Sequence, residues 1–130
     1  MPKDAYYFKH DATARDDHKI KALINKYKMI GYAYYWILLE EMRKEKGYKL
    51  KIDKKYTLDA LAEQMQCTCI QLKEFVKDCV EEFELFVKED GLLYSESFLE
   101  RMSKLDEIRQ KRSLAAYKSW DNRPHKEDED

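Results

Sequence analysis

Glycine and cysteine are scarce in this chain of 130 residues, with three of each. The glycines, Gly31, Gly47 and Gly91, are too scattered to form a phosphate-binding loop or a dinucleotide fingerprint, because both need clustered glycines within one turn. Nucleotide-binding folds of these kinds are therefore excluded. The cysteines are odd in number in a chain without an export signal, so we expect reduced thiols rather than a disulfide framework.

Long hydrophobic runs are also absent. The longest uncharged stretch, residues 29–39, is too short to cross a bilayer, and the first four residues lack the apolar stretch of a secretory signal. We therefore expect a cytoplasmic protein with no membrane partner. The length suits one domain, and a hydrophobic fraction of 44% with 10 tyrosines is typical of a chain that packs its own core.

The overall charge conceals a strongly basic stretch. The formal net charge is -1, but the last four of the 26 acidic residues lie at positions 127–130, so residues 1–126 carry 25 basic against 22 acidic side chains, a net of +3. Residues 43–55, called the basic segment below, hold seven lysines and arginines against Glu45 and Asp53. This local balance of +5 makes the segment a candidate surface for a polyanion.

Helical periodicity dominates the first half of the chain. Asp16 or Asp17 is expected to cap a helix with apolar residues at positions 20, 23, 24 and 27, and Gly31 is expected to end it. Residues 32–42 are apolar almost all round, which predicts a buried central helix stopped by Gly47. Residues 48–52 then alternate apolar side chains with lysine, the pattern of a half-buried strand.

The next segment predicts a helix-turn-helix. Thr57 is expected to cap a short helix, and a turn around residues 67–68 leads to a second helix. An apolar stripe at three- and four-residue steps predicts the core-facing side of that second helix, and it consists of Leu72, Phe75, Val76, Cys79, Val80 and Phe83.

A hairpin and a last helix complete the pattern. Asp90-Gly91 between two apolar runs predicts that residues 85–87 pair with residues 92–94. Ser95 or Ser97 is expected to cap a helix that ends near residues 111–112, and a disordered tail is expected from Ser119. The predicted fold class is mainly α with a small antiparallel sheet, a winged helix-turn-helix with extra N- and C-terminal helices. We assign it to residues 1–112 and a basic-to-acidic linker or disordered tail to residues 113–130.

Two groups of side chains could ligate a metal, and each has another explanation. Cys67, Cys69 and Cys79 lack the paired spacing of structural zinc sites, and Cys79 falls on the apolar stripe. The histidines and aspartates at positions 10–18 could form a hydrolytic site, but one or both of Asp16 and Asp17 are explained as helix caps. We expect no metal, no cofactor and no enzymatic activity, because no serine or cysteine has a histidine at a local spacing that suggests an activated nucleophile.

Other residues could contact nucleic acid, but each also has an ordinary structural explanation, either packing in the core or exposure to solvent. The aromatic residues 32–36 could stack on bases, although continuous apolarity favours core packing. The lysines of the basic segment suit either phosphate contacts or a solvated face. The exposed side of the second helix of the turn motif carries Lys73 and Lys77 against four acids, which oppose phosphates unless residues 68–73 make the approach. The acids are Glu74, Asp78, Glu81 and Glu82.

Several short motifs occur in the order and spacing of one known family. They are Tyr6-Tyr7-Phe8-Lys9-His10-Asp11, Asp16-Asp17-His18-Lys19-Ile20, Gly31-Tyr32-Ala33-Tyr34-Tyr35-Trp36, Leu38-Leu39-Glu40, Cys79-Val80, Leu85-Phe86, Gly91-Leu92-Leu93-Tyr94-Ser95 and Arg101-Met102. Together they resemble the N-terminal domain of phage and prophage replisome organisers. The resemblance covers roughly residues 5–112.

The resemblance implies a winged-helix domain of a DNA replication initiator, similar to DnaD-type proteins, that binds origin DNA and helps to recruit replication proteins such as a helicase loader. It also implies that residues 111–116 begin a linker. The alternative is a protein-interaction or self-association module of the same fold, forming a homo-oligomer without direct DNA readout. The predicted DNA-binding residues are Lys49, Lys51, Lys54, Lys55, Thr68, Gln71, Lys73, Lys77 and Lys88.

Overall fold

The computed structural model describes the backbone of residues 7–121 and the side chains of residues 7–119. Within this range the elements are α1 (His18–Lys44), β1 (Leu50–Lys51), α2 (Lys55–Gln64), α3 (Cys69–Glu81), β2 (Val87–Glu89), β3 (Leu92–Tyr94) and α4 (Glu96–Asp121). The chain divides into two compact units, the first ending at Leu99 and the second beginning at Glu100. The first unit has the element order of a winged helix, so the predicted fold class is confirmed.

The first helix begins as predicted but breaks at another residue. The Asp17 carboxylate caps α1 by accepting hydrogen bonds from the amides of Lys19 and Ile20, at 2.8 and 3.4 Å. The expected end at Gly31 is wrong, because the helical geometry is interrupted at Lys28 (φ 64°, ψ −158°) and then continues to Lys44. The two helices predicted from the sequence are therefore the two halves of a kinked α1.

Gly31 has a packing role instead. The residue is buried inside α1, and a Cβ atom added there would collide with the Cβ of Tyr27. A glycine at this position lets the Tyr27 side chain lie directly against the backbone of the following turn. Glycine often ends a helix, but here it lies inside α1, where its missing side chain permits close packing next to the kink.

The hydrophobic core of the first unit joins both halves of α1, α2, α3 and the sheet. The predicted stripe of α3 is buried except for Val80, which is half-buried. Tyr35 is buried and stacks on Phe86 with ring centroids 5.4 Å apart, which confirms core packing for this part of the aromatic run. The fully buried side chains on α1, α3 and β3 include Leu23, Leu38, Leu39, Met42, Leu72, Phe75, Cys79 and Leu93.

The segment between α1 and α2 is more irregular than predicted. Gly47 does not stop α1, which has already ended at Lys44; it lies in a 3-10 turn, Lys46–Tyr48, with a φ of 79°. This turn shortens the predicted strand 48–52 to β1. Thr57 is not a cap, because α2 begins at Lys55 and Lys54 is its N-cap residue, without a capping side chain.

The sheet has the strand order β1-β3-β2 and is antiparallel throughout. Asp90 and Gly91 form the predicted turn between β2 and β3, both with positive φ. The predicted hairpin is confirmed, but β2 begins at Val87 and not at Leu85. The amides of Leu85 and Phe86 donate to the carbonyl oxygen of Cys79, at 2.8 and 3.2 Å, and so close the end of α3 instead of joining the sheet.

The last helix is longer than predicted. Ser95 is its cap, because its hydroxyl accepts from the amide of Phe98 at 3.2 Å. The expected end near residues 111–112 and a tail beginning at Ser119 are wrong, since α4 continues to Asp121. Residues 111–121 contain neither glycine nor proline, so nothing local stops the helix. The domain boundary at residue 112 stays a prediction, and the acidic residues 127–130 lie outside the described residues.

The second unit consists, in its described part, of the remainder of α4. Ion pairs between Glu100 and Lys104 and between Asp106 and Arg109 have the three- and four-residue spacing that supports a helix. Among residues 7–121, no helix combines the length and apolarity that crossing a bilayer requires.

Candidate nucleic-acid interface

The turn between α2 and α3 fixes the start of the second helix of the helix-turn-helix. Thr68 and Gln71, both predicted to touch DNA, form a capping box: the Gln71 amide donates to the Thr68 hydroxyl at 3.1 Å, and the Thr68 amide donates to Oε1 of Gln71 at 2.9 Å. Gln66, with a φ of 55°, reverses the chain just before this cap. Both side chains therefore have a structural role at the start of α3.

Three of the predicted site lysines lie around one cleft. Lys73 and Lys77, one helical turn apart on α3, line it together with Lys88 on β2. The cleft has a volume of about 370 Å³. Its remaining lining is mostly apolar and comprises Ile52, Leu58, Val76, Val80 and the carboxylate-bearing Glu81. The fold thus brings three lysines and one glutamate, all within residues 73–88, to a cleft that Ile52 and Leu58 from the preceding segment also line.

The opposite side of α3 carries acids that face α1. The Lys26 ammonium lies 3.0 Å from Oδ2 of Asp78 and 2.9 Å from Oε2 of Glu82. The hydroxyl of Tyr27 also donates a hydrogen bond to Asp78. Two of the four acids that argued against phosphate binding are thereby engaged by α1 and do not line the cleft.

The pKa values of this contact follow from its geometry. Burial acts to raise the pKa of Asp78, but hydrogen bonds from Tyr27 and Lys26 outweigh it and hold the pKa below its ordinary value. Hydrogen bonds to Glu82 and then Asp78 raise the pKa of Lys26 to about 12. At neutral pH the carboxylate is charged and the amine protonated, so their charges largely compensate each other beside α3.

The basic segment borders the same cleft. The amide of Leu58, which lines the cleft, donates to the carbonyl oxygen of Lys54 at 3.1 Å, so the exposed side chains of Lys54 and Lys55 lie at the start of a cleft-lining helix. The amide of Ile52 donates to the Gly91 carbonyl oxygen at 2.9 Å, which joins the segment to the turn of the wing.

The two lysines of the strand region differ in their surroundings. The Lys49 ammonium lies 4.6 Å from the ring centroid of Tyr94, a cation-π contact that holds it against β3. Lys51, by contrast, is exposed on β1, opposite Leu92 of β3. Lys51 is therefore freer than Lys49 to contact an anion.

Two exposed residues at the starts of the motif helices were missed. Tyr56 is 73% exposed in the first turn of α2, and Ile70 is 78% exposed in the first turn of α3. The signal for Ile70 was present in the sequence, because position 70 falls off the stripe that begins at Leu72.

The cysteines take different positions and are not gathered around a common centre. Cys79 is buried in the core, and this burial strongly raises the pKa of its thiol. Cys67 is half-buried beside Tyr34; burial raises its pKa, while the hydrogen bond with Tyr34 acts to lower it. Within the described part of the chain, no group of three or more histidine, cysteine or carboxylate side chains is arranged to hold a metal ion.

Three polar residues near the N-terminus make contacts with other side chains or with the backbone. The His10 ring stacks on Trp36, with centroids 3.6 Å apart, and its Nε2 lies 3.1 Å from the Tyr32 hydroxyl. Asp11 accepts hydrogen bonds from the amide and the hydroxyl of Thr13. With Asp17 capping α1, these contacts give His10, Asp11 and Asp17 structural roles.

Comparison with known proteins identifies a family but no individual relative. Neither the curated proteins nor the solved structures include a match to this chain. The protein-family comparison matches residues 7–98, which span the winged helix and the cleft, to the family described as "Lin1244/Lin1753-like, N-terminal". Because this match covers most of the chain, the protein belongs to the Lin1244/Lin1753-like N-terminal family, a family of the phage and prophage type.

Proposed function

We propose that this chain is the DNA-binding winged-helix domain of a phage-type replication initiator. One observation carries the proposal: two acids of α3 and its C-cap, Asp78 and Glu82, are held by α1, while Lys73 and Lys77 line the cleft beside the wing. The second helix of a helix-turn-helix and the wing are the elements that such domains present to DNA.

The electrostatics of the cleft suit phosphate better than they suit a neutral partner. Three lysines line it against the single acid Glu81, and Lys54 and Lys55 add positive charge at the start of α2. Phosphate contacts of this kind supply most of sequence-independent affinity and make it depend on salt. The role in replication initiation, origin DNA and replication proteins as partners rest on the resemblance to replisome organisers.

A matched pair of charge reversals tests the proposal. The cleft variant replaces Lys73 and Lys77 with glutamate, and the control variant replaces Lys9 and Lys21, two exposed lysines that do not line the cleft. Both variants lower the net charge by the same amount. Binding to a labelled duplex is measured at several salt concentrations, together with circular dichroism as a check of folding.

We expect the cleft variant to lose most of its affinity at low salt, while the control keeps the slope of the parent. Each lost phosphate contact reduces the slope of log K against log salt by about 0.9, so two contacts reduce it by roughly 1.8. Equal affinities and slopes for the two folded variants would contradict the proposed site.

Self-association is the second candidate, and one surface favours it. Met29 and Ile30, directly after the break in α1, are 58% and 57% exposed. Adjacent exposed apolar side chains of this kind suit contact with another protein surface. Light scattering of the parent protein tests for a concentration-dependent dimer. A dimer, together with no duplex binding at low salt, would favour self-association over DNA binding.

A further inference from the structure

Among the large hydrophobic side chains that the structure describes, Ile70 is the most exposed, at 78%. It is the second residue of α3, because Thr68 is the N-cap and Cys69 is the first residue of the helix. Exposure of one aliphatic side chain is common, but its place at the start of the second motif helix is specific. In helix-turn-helix proteins the N-terminal residues of that helix are the ones that contact base edges in the major groove.

The neighbouring polar side chains leave Ile70 prominent. Thr68 and Gln71 are turned toward each other by the capping box, which engages the Thr68 hydroxyl and Oε1 of Gln71. Lys73 and Lys77 follow Ile70 at intervals of three and seven residues, so they lie on the same side of α3 and can hold a phosphate backbone beside it. An exposed aliphatic side chain beside two lysines is suited to contact an apolar group on a ligand that is otherwise negatively charged.

We propose that Ile70 determines specificity by packing against the C5 methyl group of a thymine in the major groove. This inference rests on the DNA-binding function proposed above and identifies a base contact for it. The thymine methyl group is the apolar feature that base pairs present in the major groove, and uracil and cytosine lack it. The phosphate contacts of the cleft supply affinity, and Ile70 supplies a preference among sequences.

The experiment uses the full chain and begins with selection of a DNA site. The protein selects duplexes from a random library, and the preferred duplex is then made in two forms, with thymine or with deoxyuridine at each enriched thymine. We expect the deoxyuridine form to bind the parent about fourfold more weakly at one position, the factor expected for burial of one methyl group.

Substitutions at position 70 connect this preference to the side chain. Ile70→Ala should bind both forms of the duplex equally, and Ile70→Val should retain part of the preference. Ile108→Ala, which truncates another exposed isoleucine, 45% exposed and outside both candidate binding surfaces, serves as the matched control and should discriminate as the parent does. Because Ile70 is exposed, its substitution should leave the thermal unfolding midpoint unchanged.

Three results would overturn the inference. They are equal binding of the two duplexes by the parent, discrimination that persists in Ile70→Ala, and loss of a dimer rather than of discrimination in Ile70→Ala, which would assign the side chain to contact with a second copy. Absence of all duplex binding at low salt would overturn the proposed function as well, whereas salt-dependent binding without a thymine preference would overturn only the role of Ile70.

Discussion

The hydroxyl of Tyr27 donates a hydrogen bond to the carboxylate of Asp78 and thereby fastens α1 to α3. Lys26, the preceding residue, pairs with the same carboxylate and with Glu82. Tyr27 also packs edge-on against Phe75, with ring centroids 5.0 Å apart. Together these contacts between α1 and α3 fix how α3 is rotated about its axis. That rotation decides which charged side chains of α3 line the cleft.

Tyr27→Phe should weaken the fold and reduce its sensitivity to acid. Loss of a hydrogen bond to a charged group should lower the free energy of unfolding by about 1–2 kcal/mol at pH 7. Because the pKa of Asp78 lies below its ordinary value of 3.8 in the folded protein, its contribution is present above pH 3.8 and is lost as the pH falls through the lower folded pKa. Urea denaturation at pH 7 and at pH 3 measures both effects.

The control for this prediction is Asp78→Asn, which removes the titrating group and should abolish its share of the acid sensitivity. A Tyr27→Phe variant that loses as much stability between pH 7 and pH 3 as the parent would show that the hydroxyl does not set the pKa of Asp78.

Lys28→Gly should stabilise the protein by about 1 kcal/mol. The backbone of Lys28 occupies a region with positive φ and extended ψ that only glycine adopts without strain. Relief of that strain should exceed the entropy that glycine adds to the unfolded chain. Thermal and urea unfolding measure the change, and Lys28→Ala, which keeps the Cβ atom, should show no such gain. Equal stability of the two variants would contradict strain at the break.

Gly31→Ala should destabilise the protein by about 1–3 kcal/mol, because the added methyl group would collide with the Cβ of Tyr27 in a packed helix. Gly47→Ala provides the comparison: it meets no atom within 4 Å, and its cost arises only from a φ of 79°. Urea unfolding of both variants should rank Gly31→Ala as the more damaging. The reverse order would show that α1 adjusts easily at Gly31.

Glutamate at positions 49, 51, 54 and 55 should abolish DNA binding and leave the fold intact. The parent is expected to show a slope of log K against log salt of roughly -3 to -5, the value for a few phosphate contacts. The four residues replaced are Lys49, Lys51, Lys54 and Lys55, of which all but the half-buried Lys49 are exposed. Fluorescence anisotropy with a labelled duplex measures binding. If the folded quadruple variant binds as well as the parent, the basic segment is a solvated face.

Cys67, Cys69 and Cys79 should bind no zinc. Cys79 lies in the core on the apolar stripe, apart from the half-buried Cys67 and Cys69 near the turn. Metal analysis of protein purified without added metal should find no stoichiometric zinc, and a chelator should leave the thermal unfolding midpoint unchanged. Zinc that is lost together with the fold on chelation would contradict this prediction.

The features that the sequence predicted correctly depend on near neighbours along the chain. Asp17 and Ser95 cap their helices through amides two or three residues away, and Asp90-Gly91 forms a turn because both residues tolerate positive φ. The stripe from Leu72 to Phe83 follows from the helical period alone. Caps, turns and helical periodicity depend only on residues that are close in the sequence, so they can be predicted from it. They were enough to identify the winged helix.

The errors arose where a packing or hydrogen-bond contact overrides the pattern read from the sequence. Gly31 has the signature of a helix end, yet the approach of Tyr27 requires glycine inside the helix, and the break falls instead on Lys28. The strand that was expected to begin at Leu85 begins at Val87, because the Cys79 carbonyl oxygen accepts the intervening amides. Which donor finds which acceptor in these cases depends on packing in three dimensions.

The candidate site divides in the same way. The sequence by itself determined that lysines concentrate in residues 43–55 and that α3 carries both lysines and acids. Only the tertiary structure decided that Asp78 and Glu82 face α1 while Lys73 and Lys77 join Lys88 at the cleft. The period of a helix fixes which residues share a face, but the direction of each face depends on the partners against which the helix packs.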